Sequence, residues 1–123
     1  MSEQRPKDTL DAIVGVFPDF KQYWGSEGDI YRDDDGSFTF HGLFAVLSHY
    51  VRERYGEMGE EKREALFRLV EACISEKQDS NGIVDAVHTC FIENLAGDLP
   101  SDEARRHMKP MTLKSFKYYD VSG

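Results

Sequence analysis

The sequence predicts an all-α fold: a compact bundle of about five to six helices, three of them long and antiparallel, covered by short terminal helices. Three observations predict it. Apolar residues recur at helical spacing along most of the chain. Glycines and prolines fall between those stripes, where helices stop and start. The intervening turns are short, which favours antiparallel neighbours. With 123 residues, 40% of them hydrophobic, the chain is sized for a single domain, 1–123, around one core.

The first helix is expected over 8–16, with Leu10, Ile13, Val14 and Phe17 on one side. Pro18 interrupts it and opens a short turn carrying Phe20, Tyr23 and Trp24, which Gly25 ends. Residues 25–37 hold three glycines and five acids and read as an exposed acidic loop with a tight turn at Asp35 and Gly36. Its flanks, 29–32 and 37–40, suit a brief hairpin, although Thr39 is also a good cap for the next helix.

That helix, over 40–55, carries the stripe Phe40, Leu43, Phe44, Leu47 and Val51, and Gly56 and Gly59 break the chain after it. A helix over 60–77 follows, with Leu66, Leu69, Val70, Cys73 and Ile74 on one face. Glu60 and Glu61 in its first turn and Lys77 in its last both suit the helix dipole. After a turn over 78–82, capped by Ser80 or Asn81, a helix over 82–96 presents Ile83, Val84, Val87, Cys90, Phe91 and Leu95, and Gly97 and Pro100 close it. The C-terminal segment, about 101–120, is read as short helices: one from Ser101 to Met108, stopped by Pro110, and one over 112–119 packing Leu113, Phe116 and Tyr119.

Charge and targeting features narrow the function classes. The formal net charge is −8, which repels nucleic-acid phosphates and favours a basic protein partner. Arg105, Arg106, Lys109, Lys114 and Lys117 stand against that trend with no acid between them, and read as a tail docked on the chain's own acidic surface. No signal peptide is visible and no apolar run is long enough to span a bilayer, so no membrane role is expected. Cys73 and Cys90 lie in apolar helical patterns and read as buried free thiols, which places the chain in the cytoplasm.

The acidic loop is the leading candidate site. An EF-hand reading fails: with Gly36 sixth, the first position is Tyr31 and the twelfth Gly42, and neither supplies a carboxylate. A partner-binding patch of Trp24, Glu27, Asp29, Tyr31, Asp33, Asp34 and Asp35 remains, because aromatics beside charges are typical of binding hot spots. On the long helix, His41, Ser48, His49 and Arg52 are expected on a polar face. Adjacent Ser48 and His49 point about 100° apart, and no G-x-S-x-G turn is present, so no catalytic residue is assigned. No zinc-ligand spacing occurs, and neither metal nor cofactor is expected. Ile92 falls opposite the apolar stripe of its helix, where a terminal helix or a partner has to cover it.

Within the block 40–97, the runs LFAVLSHYVRE and VDAVHTCFIENLAG resemble small bacterial helical proteins encoded beside polymorphic toxins, as immunity or otherwise uncharacterised domains. The resemblance covers about half the chain and carries over no catalytic residue. It implies an inhibitor that binds one cognate toxin in the same cell. Two other readings stand beside it. One is a self-associating structural or regulatory subunit, a homodimer using Ile92 and the tyrosine-rich tail. The other is a small enzyme using His41, His49 or His88 in a cleft.

Overall fold

The computed structural model describes residues 6–74, 82–96 and 101–119. Among them are seven helices and no strand. They are α1 (Pro6–Val16), α2 (Phe20–Glu27), α3 (Phe40–Arg54), α4 (Glu60–Ile74), α5 (83–95), α6 (Ser101–His107) and α7 (Pro110–Tyr119). Single 3₁₀ turns at Asp29–Tyr31 and Tyr55–Glu57 flank α3. The all-α bundle expected from the periodicity is therefore the fold. The expected turn over 78–81 with its caps Ser80 and Asn81, the stops Gly97 and Pro100, Lys77, and the side chains of Ser101, Tyr118 and Tyr119 lie outside the described residues.

Helix α3 is the axis of the core. Thr39 caps it as expected, its Oγ1 accepting from Gly42 N at 3.2 Å. Beyond the stripe, Val46, Ser48 and Tyr50 are also buried, so the helix is enclosed on most of its circumference. Ser48 does not lie on a polar outer face: it is fully buried, donates to Ala45 O at 2.6 Å, and has Asn94 Nδ2 of α5 3.4 Å away. A small hydroxyl that returns its proton to its own helix tolerates burial, which charge counting along the stripe does not register. Helix α5 packs on both α3 and α4, and α1 packs on both as well. Lys62 of α4 donates to Val16 O at the end of α1. Arg63 Nη2 donates to Tyr55 O at 2.8 Å, fixing the turn between α3 and α4.

Two expectations about helix ends and one about a hairpin are corrected. Gly25 does not end the second turn: α2 continues to Glu27, because an exposed glycine weakens a helix by only about 1 kcal/mol and Phe20 and Trp24 are anchored in the core. The brief hairpin is replaced by the 3₁₀ turn Asp29–Tyr31. Pro110 begins α7 rather than merely stopping α6, since proline lacks only an N–H that a first turn leaves free anyway.

Helix α5 is not uniformly α-helical. Between Ile83–Ala86 and Glu93–Leu95, the stretch Val87–Ile92 winds as a π-helix. Bonding from residue i to i+5 sets Ile92 in line with Val87, and both are buried. Asn94 Nδ2 donates to Cys90 O at 2.7 Å, meeting a carbonyl within that stretch. Helix α7 packs against both the π stretch and α4. Ile92 is thus covered from within the chain, at 2% exposure. Cys73 and Cys90 are free thiols; Cys73 is buried and Cys90 is partly exposed. No described helix is long and apolar enough to cross a membrane.

Candidate protein-binding surface

The acidic segment after α2 is a fixed structure. Arg32 organises it. Its Nη1 donates to Trp24 O at 2.8 Å and its Nη2 to Gly25 O at 3.0 Å, while Asp29 Oδ1 lies 3.4 Å from Nη2. A guanidinium at the C-terminal carbonyls of α2 adds a second donor to Trp24 O, which also accepts from Gly28 N at 2.9 Å, bonds Gly25 O, and complements the helix dipole. The same guanidinium lies 5.5 Å from the centroid of the Trp24 ring, which is tilted against Phe38 at 4.8 Å. Gly28 permits this packing: a Cβ there would stand 2.4 Å from the Trp24 ring.

Beyond Arg32 the chain turns back. Asp33 N donates to Ser37 O at 2.8 Å and Gly36 N to Asp33 O at 2.8 Å, with Gly36 at φ +87°. The turn sits near the position expected for it, and glycine supplies the left-handed conformation. The Ser37 hydroxyl lies 2.7 Å from Asp35 Oδ1 and 3.2 Å from Asp33 Oδ2, so its one proton serves one carboxylate at a time. Ser37 N also donates to Asp35 Oδ1 at 3.0 Å. The Ser37 hydroxyl, and then its N–H, hold the Asp35 carboxyl below the usual carboxylate range.

Of the residues expected in the patch, Glu27, Asp29, Tyr31, Asp33, Asp34 and Asp35 are exposed. Trp24 is not on that surface: at 6% exposure it belongs to the core, as the pedestal on which Arg32 and Phe38 rest. Its contribution to the patch is to hold the segment in place. Ile30, which apolar periodicity leaves unassigned, is 82% exposed in the middle of the 3₁₀ turn. The available signal was an isoleucine with acids around it and no apolar neighbour at helical spacing. Tyr31 beside it is seated on α3 at Gly42, where a Cβ would stand 2.8 Å from Tyr31 Cβ.

The histidines do not converge. His41 Nε2 lies 2.8 Å from Asp85 Oδ2, joining the first turns of α3 and α5. His88 Nδ1 meets Ser115 Oγ of α7 at 2.6 Å. His49 is exposed on α3. One cleft of about 340 Å³ is lined by Phe17, Tyr50, Arg54, Lys62 and their neighbours, and one of about 330 Å³ runs beside the acidic turn. Neither includes a histidine. Among the described residues, no group of three or more His, Cys, Asp or Glu is placed to hold a metal ion.

The first part of the basic C-terminal stretch is docked within the chain, Arg105 over the Phe116 ring, whereas Lys114 and Lys117 are exposed. Arg106 Nη2 lies 3.2 Å from Glu60 Oε1, and Lys109 Nζ lies 3.0 Å from Glu64 Oε2. His107 is buried at 3% exposure, its Nδ1 3.2 Å from Glu64 Oε1. These contacts neutralise part of α4 and leave the acidic segment 27–35 on a separate part of the chain.

Fold and surface together define an all-α bundle whose fixed acidic segment presents an isoleucine. The chain belongs to the family described as a domain of unknown function, DUF7674, whose model matches residues 10–121. No curated protein and no solved structure matches the chain.

Proposed function

We propose that the protein is a binding inhibitor of the immunity type, which neutralises a cognate bacterial toxin by seating a basic surface of that toxin on residues 27–35. The observation that carries this reading is Ile30, 82% exposed on a turn that Arg32 pins from one side and Gly42 seats from the other. A rigid apolar tip among carboxylates supplies the two ingredients of tight recognition: a desolvating anchor and charges that steer encounter. The net charge of −8 supports a basic partner, and the runs resembling toxin-neighbour proteins make a toxin the concrete choice. The protein is assigned no catalytic step and acts in the cytoplasm, where it meets the toxin.

Of the two features expected to carry self-association, Ile92 is covered by the chain itself, and the side chains of Tyr118 and Tyr119 lie outside the described residues. The test is association kinetics with the product of a toxin reading frame neighbouring this gene. Replacing Asp33, Asp34 and Asp35 together by Asn should slow association about tenfold or more at low salt and flatten its dependence on ionic strength. Unchanged kinetics would remove the segment from the interface.

A further inference from the structure

Beside the acidic turn, Pro6 and Lys7 at the start of α1, Asp35, Gly36 and Ser37 of the turn, and Phe38 enclose a cleft of about 330 Å³. We infer that this cleft receives an arginine side chain of the partner, its guanidinium at Asp35 and its stem along Phe38 and Pro6. The inference rests on the reading of residues 27–35 as the binding surface and names what enters it.

Three features fit that occupant. The two bonds that Ser37 makes to Asp35, from its N–H and its hydroxyl, both fall on Oδ1, so neither uses Oδ2. A guanidinium offers donors in a planar fork that suits a carboxylate. The apolar walls suit the methylene stem of arginine, which packs along nonpolar surface while its head stays in water. Phe38 is half-buried with Trp24 against it, and Arg32 already lies over that neighbouring ring, so the chain itself uses a guanidinium on this aromatic pair. Lys7, the one cation on the wall, is 3.6 Å from Asp11 and is drawn along α1. Asp33 and Asp34 add negative charge on the same turn.

The test is a titration of the ¹⁵N-labelled full chain with N-acetyl-arginine amide, followed by NMR, beside the lysine compound and the neutral citrulline compound. The arginine probe should saturably move the amides of Asp35, Gly36, Ser37 and Phe38, the lysine probe should bind more weakly, and citrulline should leave them in place. Asp35→Asn should weaken the arginine probe at least about threefold. Phe38→Leu, which keeps the cleft filled, should weaken it about two- to fivefold. Shifts centred on another surface, an equal response to citrulline, or no saturable shift overturn the inference. So does binding that appears only after Arg5→Ala, because the cleft would then serve the chain's own first residues. The titration needs no toxin, so its failure leaves the kinetic test of residues 27–35 standing, and failure of that kinetic test leaves the arginine site standing.

Discussion

Trp24 and Ile30, six residues apart, exchange the roles that their chemistry suggests. The large aromatic is buried and the isoleucine is exposed, because Arg32 and Phe38 close over the indole while the 3₁₀ turn lifts Ile30 away from the bundle. The acids around them were legible as an exposed segment, since their charge keeps them in water. Which of two apolar residues faces solvent depends on Arg32 reaching back to α2, a contact across eight positions that no periodicity records. Glycine substitutions test this arrangement. Gly28→Ala should cost about 1–3 kcal/mol, because the added methyl meets the buried indole at 2.4 Å. Gly25→Ala, in the same helix with nothing within 4 Å, should stabilise by about 0.5–1 kcal/mol. Urea denaturation checks both. The tyrosines give a third prediction. Burial, and then the bond to Glu53, push the Tyr23 phenol up to about 12; burial and the bond to Asp19 push Tyr50 up as well. A raised value means the fold holds the proton, so this stabilisation is complete below about pH 10, the unfolded value, and is lost as pH rises through 12. Urea midpoints should fall over that window. A Tyr23→Phe, Tyr50→Phe double variant should fall less, and an equal fall would contradict the assignment.

Among the elements, most of the helices could be read from the stripes of apolar residues, and so could several of their ends: α1 stops at Val16, α3 starts at Phe40 behind the Thr39 cap, and α4 starts at Glu60, as expected. Local signals at Gly25 and Pro110 were outweighed, at Gly25 by the core anchors of α2 and at Pro110 because proline opens a helix as readily as it ends one. The π stretch of α5 was out of reach for the same reason that it matters: a 3.6-residue period assigns Ile92 to the outside, and the i+5 bonding sets it in line with buried Val87. Helix α7 is held on α4 by Glu71. The Oε1 of Glu71 accepts from Thr112 N at 2.9 Å and from Thr112 Oγ1 at 2.8 Å, and its Oε2 accepts from Met111 N at 3.1 Å. A carboxylate from another helix thereby caps α7. Glu71→Ala should cost about 1–2 kcal/mol and accelerate amide exchange in α7, with Glu71→Gln less severe. Acid should loosen the same region. Lys109 first, and His107 next, hold the Glu64 carboxyl below its ordinary 4.5. A lowered value means stabilisation that is present above pH 4.5 and lost as pH falls through the folded value. Glu64→Gln should make stability less steep below pH 4.5, as read by chemical denaturation across pH.

For the whole molecule, the separation of charges follows from where the basic residues go. Arg106, His107 and Lys109 are used against Glu60 and Glu64 of α4, while the acids at 33–35 stand away from that cluster on the segment before α3. The acids of 27–35 were visible in the sequence; that Arg32 ties the segment to α2 and Gly42 seats Tyr31 required the fold. We propose that this segment, tipped by Ile30, is where a basic toxin binds. Hydrogen exchange of the chain alone and mixed with the product of a toxin reading frame beside its gene, should one be found there, locates the interface. New protection concentrated in residues 27–38 is the expected result. Protection on α4 and α7 instead, with 27–38 exchanging as in the free chain, would contradict it.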